Sequence, residues 1–316
     1  MKRKIVRHGP ATLTVSLPSV WVKQWNLKNG DELNLSINGS QLLVSMEKFR
    51  EHGSIDKDIT GLDRSSIILY LRNLYRRGYQ DIILRYSEPE ALHIRKQAEV
   101  LISRIINEEA NRLIGMEVVD QKERSTRLME VTEASGRNFD MMYRKNFFLA
   151  EEAVQVLLEA VSKNNAKSFY RIEDLHDRVA KTGSYCIRLL NQGMASDQRN
   201  QPHLFNILMN LDLLLDIIKY FSRHVAANKK RFSKKNQELF VSLSENFVVF
   251  SKLMMDYSNG LMYEFQEKRK DLTEKAYVRM QAKDPDMIFF SYLLSLLDVT
   301  RIMSETKLSM IDLEDS

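Results

Sequence analysis

A single cysteine, Cys186, stands in the 316 residues, so no disulfide can form within the chain and a reducing, cytoplasmic setting is expected. Prolines number only five, and no low-complexity tract occurs. No uninterrupted apolar run approaches the roughly 18 to 20 residues that a membrane helix needs, so an integral membrane protein is not expected. The basic start MKRKIVRHG is followed by no apolar stretch, and no signal peptide is expected either. Gly-x-Ser-x-Gly elbows, phosphate-binding glycine loops and Cys-x-x-Cys pairs are all missing. Those absences favour a non-enzymatic role. What remains is an ordinary soluble composition, long enough for two or three domains with cores of their own.

The net charge is +5, and it is unevenly placed. Within residues 1–50 the bases Lys2, Arg3, Lys4, Arg7, Lys23, Lys28, Lys48 and Arg50 face only Asp31, Glu32 and Glu47, so this segment carries the whole excess. A compact basic piece is what a polyanion partner requires. A solubilising basic tail would carry the same charge, but residues 2–47 also read as folded. TLTVSLP, DELNLSI and QLLVSM alternate polar and apolar residues at period two. Pro18 marks the start of a short helix in SLPSVWVKQWNL, and Asn29-Gly30 and Asn38-Gly39 supply turns. The order is strand, strand, helix, strand, strand. So short a sheet has little core, which pairing between two chains would remedy.

Residues 53–133 change character. GSIDKDIT reads as a strand, LDRSSIILYLRNLYRRGY as an amphipathic helix ending at Gly78, and QDIILRY as a second strand. A helix over 88–112 and a hairpin of GMEVVDQ with STRLMEV complete a βαβαββ order, that of a small α+β domain such as the ferredoxin-like one. Glu90 and His93 make one Glu-x-x-His spacing, attributed to chance.

From 137 to 316 the strand patterns vanish. Apolar residues recur three and four apart, giving helices over 137–164, 167–191, 202–227, 235–268, 270–283 and 286–312. Breaks fall at Asn164-Asn165, GMASDQRNQP, HVAANKKRFSKK and KDPD. Two sets of three helices, split near residue 230, suggest a duplicated three-helix bundle. The fold class expected is therefore a multidomain α+β chain with an all-α C-terminal part.

Two carboxylate pairs stand out. Glu173 and Asp177 lie four apart on one expected helix, and Asp212 and Asp216 on the next. Residues so spaced share a helix face, and two such helices side by side would gather four carboxylates, which repel unless a cation sits between them. A hard or borderline metal is one such cation. An ordinary solvated stripe of Asp212, Asp216, Lys219 and Arg223 is the other reading. Glu173-x-x-His176 matches half of a di-iron signature, but the helical region holds no second such pair, which argues against an oxidase. Cys186 falls in line with Ile172, Leu175, Val179 and Leu190, as a buried thiol would, and the many phenylalanines and methionines read as packing.

Two resemblances follow from these residues. KRKIVRHG with VSLPSVWVKQWNLKNGDELNL resembles the AbrB-type swapped-hairpin module, through Pro18, Leu27 and the pair Gly30-Asp31, with Ser19 where many such modules are basic. The resemblance implies a homodimer formed through this module and bound to double-stranded DNA through Lys2, Arg3, Lys4, Arg7, His8 and Lys23. Residues 137–313 are similar to PhoU proteins, whose two three-helix repeats carry Glu/Asp-x-x-x-Asp motifs. The likeness implies a metal (iron, zinc or magnesium) at Glu173, Asp177, Asp212 and Asp216. The second repeat departs from the pattern, since Leu294 stands four before Asp298 and helix 270–283 offers only Asp271 and Glu274; His176 also replaces a usual aliphatic residue. The order of parts resembles archaeal PhoU-related regulators, which implies a transcription regulator of phosphate uptake and homeostasis. Two alternatives stay open: a PhoU-type adaptor acting on phosphate transporter components or a kinase without DNA binding, and a carboxylate-bridged metalloenzyme.

Overall fold

The computed structural model describes residues 2–10, 12–38, 41–45, 53–132, 138–163, 166–194, 199–228 and 231–311. The chain is mixed α+β, with several small sheets and a helical C-terminal region. It divides into two compact units, Met1–Glu51 and His52–Ser316.

The first unit holds β1 (Val6–Arg7), β2 (Leu13–Thr14), α1 (Ser19–Gln24), β3 (Asn34–Asn38) and β4 (Gln41–Ser45), in the order the alternating pattern predicts. β1 and β2 form one antiparallel ladder, with Val6 opposite Thr14, and β3 and β4 form another, with Asn34 opposite Ser45. Pro18 sits at the head of α1 with φ −64°, the value its ring imposes, and its carbonyl accepts from Val22 N at 3.0 Å. Gly30 has φ +98°, which glycine alone adopts without strain. Asp31 beside it accepts from Lys28 N at 2.7 Å and closes the turn. Gly39 of the second expected turn lies outside the described residues.

The second unit opens with β5 (Ser54–Asp58), α2 (Arg64–Arg76) and β6 (Asp81–Arg85). Asp63 caps α2 by accepting from Ser65 N and Ser66 N. Ile67, Leu71, Leu74 and Tyr75 form its buried stripe, and Gly78, at φ +98°, ends it. The stretch expected as one helix over 88–112 is instead the hairpin β7 (Glu90–His93) and β8 (Ala98–Leu101), followed by α3 (Ile102–Ala110). Helix-favouring residues are overridden because Gln97 takes a left-handed turn at φ +47° and the Pro89 carbonyl accepts from Ile102 N, which closes the hairpin at its base. β9 (Met116–Lys122) and β10 (Ser125–Glu130) follow as predicted, and the sheet order is β5-β6-β10-β9. β5 and β6 are direct, parallel neighbours, with Ser54 opposite Asp81. A ferredoxin-like split would place another strand between the two strands of such a βαβ unit.

The helical region comprises α4 (Phe139–Lys163), α5 (Ala166–Asn191), α6 (Gln201–Ala227), α7 (Lys234–Met255), α8 (Asn259–Gln281) and α9 (Met287–Leu308). The expected helix boundary at 268–270 is displaced to Asp256–Ser258, because Ser258 caps α8 by accepting from Leu261 N. The breaks at Asn164-Asn165 and within GMASDQRNQP fall wholly or partly outside the described residues. α4 packs on α5 and α7, α5 on α6, α6 on α9, and α8 on both α7 and α9. By length and mean hydropathy α9 could cross a membrane, although Ser291, Ser295 and Asp298 interrupt its apolar residues. Half of that stretch is buried in the protein core.

One continuous core runs from Ile59, Ile82 and Leu128 of the α/β part through Phe147, Leu190, Leu215 and Phe250 of the helices. The segments 53–132 and 138–311 therefore share a single compact unit. α2 is the main contact of the α/β part with the helices, lying against α5.

Candidate functional site

Within the first unit, Lys2, Arg3 and Lys4 lead into β1, Arg7 lies in it opposite Leu13, and His8 follows at the turn. Lys23 lies in the last turn of α1. All six are exposed, and none forms an ion pair with a described residue. Many apolar residues here are exposed as well, among them Ile5, Val6, Val20 and Leu35, with Leu13 at 65% and Trp25 at 53%, while Leu17, Trp21, Val22, Leu27, Leu33 and Val44 are half-buried. No described side chain of this unit is buried. Two short ladders with no fully buried side chain among the described residues are marginal in water as a single copy.

The second candidate lies on α5 and α6. Asp177 and Asp216 come to opposite sides of one imidazole: His176 Nδ1 is 3.1 Å from Asp177 Oδ1, and its Nε2 is 3.0 Å from Asp216 Oδ1. Lys219 Nζ donates to Asp216 and lies 2.9 Å from His176 Nε2. Arg112, just beyond α3, donates to Asp177 at 2.6 Å. Glu173 accepts from Arg223 Nη2 at 2.7 Å, and Asp212 from Arg76 Nη2 at 3.4 Å. Asp177 and Asp216 thus meet across His176, while Glu173 and Asp212 are each taken up by a separate arginine.

Electrostatics follow from these contacts. Burial opposes the charged form of His176, yet its bonds to Asp177 and Asp216 prevail and raise its pKa against the neighbouring Lys219. Burial likewise works against the Asp216 carboxylate, but His176 and Lys219 hold it down to about 2.

A metal ion does not fit this donor set as it stands. Each of the four carboxylates already has a cationic partner from the protein, and among the described residues no group of three or more His, Cys, Asp or Glu side chains could hold a metal. The solvated-stripe reading named Lys219 and Arg223, but Lys219 is buried and not solvated. Arg76 and Arg112 were not foreseen, since they reach the helices from the α/β part across separations of 136 and 65 residues.

A further joint had no signal in the sequence beyond polar residues late in an apolar helix. Near the C-terminal end of α5, Arg188 Nη1 donates to the Tyr75 and Tyr79 carbonyls at 2.8 and 3.0 Å. Asn191 donates to the Arg76 carbonyl, and Gln192 to that of Gly78. The Tyr75 and Arg76 carbonyls lie in the last turn of α2, where a helix leaves such groups open, and those of Gly78 and Tyr79 follow just beyond it. These bonds also fix α2 against α5.

The Cys186 thiol is fully buried, receives a weak hydrogen bond from Asn146 Nδ2, and is pushed up to about 12 by burial. Glu90 and His93 lie on β7 and not on a helix.

Comparison of the chain with protein-family models, with curated proteins and with solved structures gives no match.

Proposed function

We propose that the chain is a dimeric, DNA-binding transcription regulator of phosphate uptake, in which the N-terminal unit grips the duplex and the helical region serves as the sensor. One observation carries the reading. The first unit exposes its bases and many of its apolar residues, leaves the others half-buried, and fully buries no described side chain. A segment whose described side chains are at most half-buried gains a proper interior from a second copy, and an AbrB-like pair of interleaved hairpins would bury Leu13, Val20 and Leu35 between chains. The bases would then form a doubled positive surface suited to two half-sites on DNA. The link to phosphate rests on the likeness of the sequence of residues 137–313 to PhoU proteins, for which two sets of three helices are expected.

The test uses the full-length protein. Sedimentation should give a dimer. Retardation of duplex fragments from upstream of phosphate-uptake genes should be clear at about 50 mM salt and much weaker at about 200 mM. A monomer that leaves duplex DNA unretarded at low salt would sink the proposal and favour the adaptor acting on a transporter or kinase.

A further inference from the structure

We infer that the carboxylate face of α5 and α6 is a metal-free clamp, closed by the chain's own cations, that fastens the α/β part to the helices. The inference is independent of the DNA-binding reading.

Four carboxylates on adjoining helices require positive charge among them. Here that charge comes from two directions. Lys219 and Arg223 rise from α6 itself and neutralise Asp216 and Glu173. Arg76, the last residue of α2, and Arg112, just beyond α3, reach over from the α/β part to Asp212 and Asp177. His176 stands between Asp177 and Asp216 and occupies the space a bridging ion would need.

Burial decides against exchange for a metal. The side chains of Lys219 and Arg76 are only 9% and 10% exposed. An incoming divalent ion would have to share that space with them or force them out of it, and either course leaves buried charge without a partner. Arg76 is further held by a bond from its Nε to Ser184 Oγ at 3.2 Å. The neighbouring pair of Arg72 with the buried Glu109, at 2.8 Å, continues the line of charges on the α/β side. The face is thus complete without a metal, and it spans two parts of the chain that the backbone joins only through residues 133–137.

The test has two readouts on the full-length protein. First, wild type is incubated with Zn²⁺, Mn²⁺ or Fe²⁺, desalted and analysed for metal; it should emerge essentially metal-free, and retention of one ion or more per chain would overturn the proposal. Secondly, amide exchange is followed in Arg112→Gln and in the milder Asp177→Asn. Loss of this half-exposed pair should speed exchange in Ile102–Ala110 by about two- to fivefold while Lys234–Met255 stays unchanged. Exchange as slow as wild type in both variants would show that the contacts fasten nothing. Far-ultraviolet circular dichroism confirms that each variant is folded, and Asp177→Asn, which keeps the shape of the side chain, carries the test if Arg112→Gln is not.

Discussion

The Arg188 guanidinium lies 4.8 Å from the centre of the Tyr75 ring while its Nη1 donates to the Tyr75 carbonyl at 2.8 Å. Arg188 is fully buried, and its Nη2 is 3.0 Å from Glu130 Oε2, an ion pair by distance without hydrogen-bond alignment. One side chain thus faces the end of α2, the end of β10 and an aromatic ring. Replacing it with leucine leaves Glu130 and two carbonyls without their cation. The expected cost for Arg188→Leu is about 3 to 5 kcal/mol, the range for breaking one half of a buried pair. Urea denaturation measures it, and a loss below about 1 kcal/mol would show that water or another group takes over.

Gly115, before β9, offers a purely steric test. Its φ of +82° lies in the left-handed region, and a Cβ there would meet the Thr132 carbonyl oxygen at 3.0 Å. That contact is with backbone, which cannot swing aside, because Val131 N donates to the Gly115 carbonyl at 2.8 Å. Gly115→Ala should therefore destabilise the protein by about 1 to 3 kcal/mol. At Gly61, where φ is +81° but the space is open, alanine meets only the backbone penalty. The melting temperatures of the two variants should rank accordingly, with Gly115→Ala lower.

The features legible in the sequence are those with a strong local period. The run Ile82, Ile83 and Leu84, bounded by Asp81 and Arg85, forms a strand with Ile82 and Leu84 buried at period two. Ile67, Leu71 and Leu74 recur at helical spacing, and Gly78 stops the helix where the sequence says it should. The hairpin Glu90–Leu101 was hidden because Ala91, Leu92, Ala98 and Leu101 are good helix formers, and what turns them is a hydrogen bond to the Pro89 carbonyl and a left-handed Gln97. The end of α7 was hidden in the same way, since only the Ser258 cap marks the start of the next helix. At the site, four carboxylates were visible as pairs four residues apart, but not their partners Arg76 and Arg112. Those depend on how α2 and α3 pack on the helical region, which no local pattern encodes.

The pair of Asp81 with Arg127 gives a pH-dependent expectation. Arg127 donates twice, at 2.9 and 2.7 Å, and these bonds hold the Asp81 pKa below its ordinary 3.8 despite partial burial. A carboxyl group depressed on folding stabilises the native state above its unfolded value, and that contribution fades as pH falls through the folded value. Asp81→Asn should therefore cost about 0.5 to 1 kcal/mol at pH 7, discounted for the exposure of Arg127. The two proteins should converge in stability as the pH is lowered below the ordinary carboxyl range. Denaturation profiles that stay parallel down to pH 2 would show that the pair contributes nothing as an ion pair.

The N-terminal bases set the last expectation. Arg3, Lys4 and Arg7 lie before and within β1, exposed and without an ion-pair partner among the described residues. Contacts of such side chains with phosphates release counterions, each making the slope of log affinity against log salt steeper by about 0.9. Replacing all three with alanine should weaken duplex binding and make that slope shallower by up to about 2.7 units. Lysine at Arg3 and Arg7 keeps the charge, so Arg3→Lys with Arg7→Lys should preserve the slope even where affinity falls, because lysine lacks the forked geometry of arginine. Fluorescence anisotropy over a salt series separates the outcomes. If the alanine variant keeps the wild-type slope, these residues do not touch the backbone and the duplex must be held elsewhere. If the lysine variant loses the slope as fully as the alanine one, the effect lies in the folding of the hairpin and not in charge.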